Sequence, residues 1–288
     1  MFCAATEQAL RGFQEARGLR VEGVCDEHTW IALVEASWKL GDRQLLLTSP
    51  NLRGDDVADL QARLARLGFD CGRVDGIFGP RTGRAVEDLQ SNCGVPADGV
   101  CGPETVRIIV RVSGQSGTGP GVSALREREH LRNGHASMAT CRVVLGQFGG
   151  LSALTRTLAR ELRQRGATVM PLDEPDAVAQ AMAANHFQAT VYIGFEAHPT
   201  PSAVAHFYQV PSFESVGGRV LAELIAETLR VVPGFAPAVS GMRLPVLRET
   251  RMPAVLLTLG PVRAATDATP QVAAAILEAL DLWILREG

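Results

Sequence analysis

Three residues with the chemistry to hold a metal ion lie close together in this sequence: Glu196, His198 and His206. A carboxylate and two imidazoles are ligand types found in hydrolytic zinc sites. Their spacing matches no metal-binding motif, however, and Pro199 and Pro201 interrupt the stretch between the histidines. Such a pattern more often reflects structural or solvated histidines. We therefore expect no metal site here, and a Glu–His–His cluster stays open as the alternative.

The other reactive side chains form no catalytic motif. No two of the six cysteines make a C-x-x-C pair, which favours buried thiols over disulfides or zinc ligands. The chain also lacks the G-x-S-x-G turn of serine hydrolases and the phosphate-binding G-x-x-x-x-G-K-[ST] loop. Nucleophilic catalysis and nucleotide binding therefore have no support in the sequence. The cysteines are Cys3, Cys25, Cys71, Cys93, Cys101 and Cys141.

The first part of the chain contains an internal repeat. Residues 6–33 align without a gap on residues 82–109, with eight identical pairs. Each copy has helical spacing of apolar residues, a glycine that suits a left-handed helix cap, a turn and a second short helix. The identical pairs are Thr6/Thr82, Ala9/Ala85, Gln14/Gln90, Gly18/Gly94, Gly23/Gly99, Val24/Val100, Cys25/Cys101 and Thr29/Thr105.

The second part of the chain alternates strands with helices, which predicts an α/β domain. Short apolar runs that end at glycines or polar residues are typical of buried strands, and the longer periodic segments between them are typical of helices. The predicted strands cover residues 141–150, 167–172, 189–197 and 253–260. The predicted helices cover residues 151–165, 176–184, 215–230 and 270–286.

Charge and hydropathy narrow the functional classes. The formal net charge is −3, so the chain has no basic field that would attract nucleic acid. No stretch approaches the roughly 20 apolar residues that a membrane span needs. The start MFCAATEQAL lacks the basic and apolar regions of a signal peptide. Together these features predict a cytoplasmic protein without nucleic-acid partners.

Three motifs resemble the three-helix peptidoglycan-binding module: L-x-x-L-G-F at Leu64–Phe69, D-G-x-F-G-P-x-T at Asp75–Thr82 and D-G-V-C-G-P-E-T at Asp98–Thr105. The resemblance implies binding of a glycan or peptide. Candidate ligand-binding residues are the polar groups near the turn: Arg73, Asp75 and Arg81. The first copy lacks the helix and the D-G-x-F-G turn that open the second.

The α/β part resembles the zinc-dependent N-acetylmuramoyl-L-alanine amidase domain, with the best local match at Leu247–Gly260. Repeats placed before such a domain are similar to the CwlM-type family of actinobacteria. The expected fold class is multidomain, with small all-α repeats followed by a three-layer α/β domain. The expected bounds are 1–40 for a partial repeat, 50–112 for a three-helix domain, 113–139 for a flexible linker and 140–288 for the amidase-like domain.

The zinc site implied by the resemblance is degenerate in this sequence. Phe148 replaces the first histidine, Glu196 replaces the second, and Thr258 replaces the catalytic glutamate. The segment that supplies a ligand glutamate is missing, because the next helix begins almost at once. Zinc hydrolysis needs three protein ligands, an open position for water and a base. We therefore predict no bound metal, no cofactor and no catalytic residue.

The resemblance and the lost ligands together predict a non-catalytic regulator of cell-wall precursor synthesis. Its expected partners are peptidoglycan or precursor fragments and a cell-wall synthesis enzyme. A working zinc amidase that hydrolyses peptidoglycan is the alternative, and it would require a metal that these residues do not hold. A passive wall-binding module is a third hypothesis, which would require export.

Overall fold

The computed structural model describes residues 2–113, 137–211 and 213–287. The chain divides into two compact units: Met1–Arg126 with Pro211–Phe213, and Glu127–Val210 with Glu214–Gly288. Most of the predicted linker 113–139 lies outside the described residues. At its edges Ser113 ends a helix, and Met138–Thr140 form a 3-10 turn, so both edges are structured. No helix in these ranges is long and apolar enough to cross a membrane.

The first unit is helical. Its described helices are α1 Ala4–Ala16, α2 Glu27–Ala36, α3 Asp55–Arg66, α4 Pro80–Asn92 and α5 Pro103–Ser113. Isolated bridges join Leu45 to Cys101 and Arg53 to Ile77, so the extended segment between α2 and α3 is tied to the turns before α4 and α5. The predicted all-α repeat region is confirmed.

Helix α3 is the central element of the second copy. Its apolar residues Val57, Leu60 and Leu64 fall on one face and are fully buried. They pack with Phe78 and Ile109 in one apolar core. Burial of each leucine side chain contributes about 2 kcal/mol. The helix ends before Gly68, whose φ of 94° lies in the left-handed region.

The two copies differ in how far their apolar residues are covered. Phe78 is 0% exposed, whereas Phe2, which precedes it by the repeat offset, is 59% exposed. Cys101 is buried and its counterpart Cys25 is exposed. In the second copy, α3 supplies the core that covers these positions. The exposed positions of the first copy therefore correspond to positions that α3 covers in the second copy.

The second unit is a mixed seven-stranded sheet with helices, within the described ranges. The strand order is β2-β1-β3-β7-β4-β5, and β6 pairs with β4. Strands β1, β2, β3 and β7 run parallel, whereas β4 is antiparallel to β7. The strands are β1 Arg142–Gln147, β2 Thr168–Asp173, β3 Val191–Ala197, β4 Ser202–Val210, β5 Phe213–Glu214, β6 Ala238–Met242 and β7 Ala254–Gly260.

Helices cover both faces of this sheet. The described helices are α6 Ser152–Gln164, α7 Ala177–His186, α8 Val216–Leu229, α9 Pro245–Glu249, α10 Val262–Asp267 and α11 Thr269–Glu287. Helices α6, α8 and α11 pack on one face through residues such as Leu158, Leu221 and Trp283, against Phe195 and Leu257 of the sheet. Helices α7 and α9 pack together on the other side. The predicted three-layer α/β domain is confirmed.

Strand β4 is the main element that the sequence did not predict. Its alternation places Ala203, Ala205 and Phe207 in the core while the residues between them are only partly buried. Two small alanines give a weak apolar signal, and the proline-rich stretch before Ser202 resembles a loop. His206 therefore lies inside strand β4, whereas the sequence analysis left it in a segment without predicted secondary structure after Glu196.

Candidate functional site

The three positions that the sequence analysis singled out in the α/β unit come together at one edge of the sheet. Phe148 directly follows β1, Glu196 lies near the end of β3, and Thr258 lies near the end of β7. These strands are parallel neighbours, so their carboxyl ends meet at the same edge. We call Phe148, Glu196 and Thr258 the strand-end site.

Direct contacts join the members of the strand-end site. Glu196 and Thr258 are register partners, and the Thr258 hydroxyl donates to Glu196 Oε2 at 3.3 Å. The Phe148 backbone N–H donates to the Phe195 carbonyl at 2.9 Å. Phenylalanine, a carboxylate and a hydroxyl thus lie together at this edge of the sheet.

The loop after β1 folds tightly onto the end of β3. Gly149 and Gly150 have φ values of 95° and 80°, a conformation that side chains disfavour. A Cβ added to Gly150 would lie 3.0 Å from the Ala197 Cβ, so the loop backbone approaches the strand closely. Helix α6 begins at Ser152, leaving no intervening segment that could carry another ligand.

The two histidines do not complete a metal site. His198 Nδ1 lies 3.0 Å from the Thr200 hydroxyl and 3.3 Å from the Thr200 backbone nitrogen, so local turn contacts engage this ring atom. In the pairing of β4 with β7, His206 is opposite Leu256, which lies two residues before Thr258 along β7. Among the described residues, no group of three or more His, Cys, Asp and Glu side chains could hold a metal.

The donor set at the strand-end site therefore does not fit zinc. Phe148 has no lone pair to donate, and one carboxylate, on Glu196, is present where three protein ligands are needed. That carboxylate also accepts a hydrogen bond from Thr258. The site offers one anionic acceptor, one hydroxyl and one aromatic ring.

A buried hydrogen-bond network that the sequence analysis missed fixes the end of β1. The Tyr192 hydroxyl donates to Gln180 Oε1 at 2.7 Å, and Gln180 Nε2 donates to the Gln147 carbonyl at 2.9 Å. Burial raises the pKa of Tyr192, which keeps its hydroxyl protonated as a donor. A Cβ on Gly146 would lie 2.3 Å from the Tyr192 hydroxyl. The available sequence signal was a glycine inside each of two apolar strands, Gly146 and Gly194, which pair with each other in the sheet.

In the helical unit, the three candidate ligand residues lie around the turn between α3 and α4. Asp75 Oδ1 accepts from the Ile77 backbone N–H at 2.9 Å and from Gln61 Nε2 at 3.0 Å, which makes this carboxylate part of the turn. Arg81 is exposed in the first turn of α4, and its Cδ lies 3.2 Å from where a Gly72 Cβ would stand. Arg73 is half-buried in the same turn.

A recurring buried glutamine organises the helical unit. Gln90 Oε1 accepts from the Gly99 N–H at 3.0 Å, and its Nε2 donates to the Thr105 hydroxyl at 3.1 Å. The same pair of bonds joins Gln14 to Gly23 and Thr29. Gln61 makes it a third time, with Gly76 and Thr82. The sequence analysis missed this third copy because its turn is longer, although the spacing from glycine to threonine is the same.

Comparison with known proteins agrees with the geometry of both units. The family model described as putative peptidoglycan binding domain matches residues 1–33 and 53–109. The chain is 35% identical over 294 residues to the N-acetylmuramoyl-L-alanine amidase CwlM of Mycobacterium tuberculosis, covering 90% of this chain and 72% of that protein. It is 42% identical over 60 residues to the spore cortex-lytic enzyme of Bacillus cereus, covering 21% of this chain and 23% of that enzyme.

Among solved structures, the N-acetylmuramyl-L-alanine amidase Ami1 from Mycobacterium smegmatis is similar to half of the chain. The match has a TM-score of 0.46 at 13% identity and covers 52% of this chain and 100% of that chain. The amidase AmiC2 of Nostoc punctiforme matches with a TM-score of 0.42 at 16% identity, over 49% of this chain and 97% of that chain.

Proposed function

Because the chain belongs to the family of the N-acetylmuramoyl-L-alanine amidase CwlM, we propose that it is a non-catalytic member that binds peptidoglycan-related ligands and regulates cell-wall precursor synthesis. The strand-end site carries this proposal. By the resemblance to the amidase domain, Phe148 takes the place of a metal-binding histidine and Thr258 takes the place of the catalytic glutamate. A zinc amidase hydrolyses its amide with water that the metal activates by lowering the pKa of the bound water to about 7.

Two features of the strand-end site support a binding role. Glu196 is half-buried and hydrogen-bonded to Thr258, so it is positioned without a metal. The Gln147–Gln180–Tyr192 network and the Gly150 loop hold the backbone around it. In the helical unit, the peptidoglycan-binding model supports recognition of a wall-derived ligand. The proposed partner of the whole chain is an enzyme of precursor synthesis.

A working zinc amidase remains the second candidate, favoured by the activity in the name of the Mycobacterium tuberculosis relative. The decisive experiment measures zinc content after saturation with zinc, together with release of peptide from purified peptidoglycan. We expect less than one tenth of a zinc per chain, and product release equal to that of a Glu196→Ala variant. One tightly bound zinc per chain, or peptide release abolished by Glu196→Ala, would overturn the proposal.

The regulatory half of the proposal needs a cellular test. Depletion of the protein is expected to change the pool of nucleotide-linked wall precursors, and wild-type protein should restore it. The Glu196→Ala variant should restore it less completely, because Glu196 belongs to the strand-end site that is proposed to bind. Fractionation of the same cells shows whether the protein shares a compartment with the precursor enzymes. An unchanged pool with reduced wall turnover would contradict regulation and favour the amidase.

A further inference from the structure

The helical unit contains a cavity of about 450 Å³ at the junction of the two repeat copies. The segment after α2 contributes one wall, α3 contributes the second, and Val110 of α5 contributes to the third. Residues 36–40 of this lining lie outside the two matched stretches of the peptidoglycan-binding model. We call this space the junction cavity. Its lining residues are Ala36, Trp38, Lys39, Leu40, Asp55, Asp59, Arg63 and Val110.

We infer that the junction cavity binds a phosphate-free sugar–peptide fragment of peptidoglycan, an inference that rests on the proposed wall-ligand function. Small-molecule sites have volumes of roughly 300–1,000 Å³ and combine apolar surface with a few polar groups. The junction cavity has that size and that mixture. The C–H groups of a pyranose ring pack on an aromatic side chain, whereas its hydroxyls and amides need hydrogen-bond partners.

Trp38 is a positioned aromatic surface. The Arg43 guanidinium lies 4.5 Å from its ring centroid and covers one face. Arg43 is itself held by Asp56, at 2.7 Å and 3.1 Å, and by the Arg53 carbonyl at 2.7 Å. Asp56 is buried, so this anchor is rigid. The indole therefore lines the cavity in a fixed orientation, which reduces the entropy lost when a ring packs against it.

The charges of the lining distinguish between ligand classes. Asp55 is paired with Arg17 at 2.5 Å, and Asp59 is paired with Arg63 at 2.9 Å. Arg63 also donates to the Ser113 hydroxyl at 2.8 Å. Within the described ranges, the Lys39 ammonium makes no ion pair, although it lines the cavity. The lining thus presents two carboxylates and a guanidinium that are all ion-paired, and one ammonium, on Lys39, that makes no ion pair among the described residues.

This arrangement fits a peptide with both an amine and a carboxylate, and it does not fit a diphosphate. Lys39 can pair with one carboxylate of a stem peptide, and Asp55 and Asp59 can accept its N–H groups and the sugar hydroxyls. A diphosphate carries at least two negative charges, and Lys39 is the one lining cation among the described residues that is not already held by a carboxylate. Nucleotide-linked precursors should therefore bind more weakly than wall fragments of the same sugar and peptide.

The test compares a disaccharide–peptide wall fragment with a uridine-diphosphate-linked muramyl peptide, by calorimetry on the full chain. We expect Trp38→Ala to weaken fragment binding at least tenfold and Lys39→Gln at least threefold. The nucleotide-linked ligand should bind at least tenfold more weakly to the wild type. Trp30→Ala is the matched control, because Trp30 is 61% exposed and lies outside the cavity.

Chemical labelling provides a second measurement that does not depend on a substitution. Lys39 is the single lysine of the chain, so amine acetylation followed by peptide mass spectrometry reports on one side chain. The wall fragment should protect Lys39 from acetylation, and the nucleotide-linked ligand should not. Trp38→Ala is checked by circular dichroism, and Lys39→Gln changes an exposed side chain that does not enter the core.

The outcomes separate this inference from the proposed function. Fragment binding that Trp38→Ala and Lys39→Gln leave unchanged would overturn the junction cavity while the wall-ligand function stands. Absence of fragment binding would overturn both the cavity and the ligand half of that function. Tighter binding of the nucleotide-linked ligand would overturn the charge argument. Stoichiometric zinc, by contrast, would overturn only the non-catalytic assignment.

Discussion

Replacing Gln90 with leucine should destabilise the helical unit because this side chain satisfies buried backbone and hydroxyl groups at once. Its Oε1 accepts from the Gly99 N–H at 3.0 Å, and its Nε2 donates to the Val100 carbonyl and the Thr105 hydroxyl, each at 3.1 Å. Leucine has similar bulk and no polar atom. Gly99 and Thr105 are buried, so water does not readily replace the lost partner.

The expected loss follows from counting the orphaned groups. The Gly99 N–H loses the acceptor that it has in the described structure, and an unsatisfied buried donor costs about 1–3 kcal/mol. Thr105 keeps a long bond to the Val100 carbonyl at 3.4 Å, so its loss is partial. We expect a total of about 2–3 kcal/mol. For a domain of this size, that corresponds to a decrease in Tm of roughly 10–20 °C.

The assay follows labelling of buried thiols as temperature rises, with mass spectrometry to identify each cysteine. Cys101 reports on the helical unit, and Cys141 reports on the α/β unit, since both are buried. Gln90→Leu should expose Cys101 at lower temperature, and Gln14→Leu should reproduce part of the effect. Gln8→Leu, at an exposed position of α1, is the matched control. A change below about 0.5 kcal/mol for Gln90→Leu would refute the network argument.

Four further outcomes are expected. At neutral pH, Ellman's reagent should react with the exposed Cys3, Cys25 and Cys93 in the native protein, and with the other three cysteines only after unfolding. Fast labelling of Cys101 would contradict its burial in the second repeat copy. Burial raises the pKa of Cys71 and Cys101 to about 12, so these thiols ionise at lower pH in the unfolded chain than in the folded one, and the free energy of unfolding should fall as pH rises above about 9. Equilibrium unfolding at pH 8 and pH 10.5 checks this trend, and Cys101→Ala should make the decrease smaller. Gly146→Ala should lower the Tm of the α/β unit, because the new methyl would meet Gln180 Oε1 at 2.0 Å, whereas Gly149→Ala meets no atom within 4 Å and is strained only by its φ. The double variant Phe148→His, Glu196→His should show no tight zinc binding in calorimetry, since two imidazoles do not make a three-ligand site. Nanomolar zinc affinity would contradict this and would show that a third ligand is nearby.

The sequence predicted elements wherever one strong pattern determined them. Strand β7 is apolar throughout, so it was identified with bounds close to those observed, and helix α3, which opens the second copy, has three large apolar residues on one face. Strand β4 was missed because small alanines alternate with partly exposed residues, and only pairing with β7 and β6 makes that segment a strand. Long-range pairing of this kind leaves little trace in a local window.

The candidate sites were predictable to different degrees. Strand ends of a parallel sheet converge, so the closeness of Glu196 and Thr258 follows from identifying β3 and β7. The role of Asp75 was predictable from turn chemistry, because an aspartate before glycine often accepts from its own turn. The junction cavity was not predictable, since Trp38 and Asp59 lie on different copies and no local motif joins them.

The strand-end site has several features that fix its geometry although its donor set does not fit zinc. Gly146 allows Tyr192 and Gln180 to hold the end of β1, and Gly150 allows the loop to lie against Ala197. Left-handed glycines and buried polar networks cost stability unless their surroundings compensate for them. Here the network is satisfied and the loop is packed, so the edge is a rigid surface in its own right. A rigid edge with one oriented carboxylate, Glu196, supports the proposed recognition of a ligand or partner, because a preorganised surface loses little conformational entropy on binding.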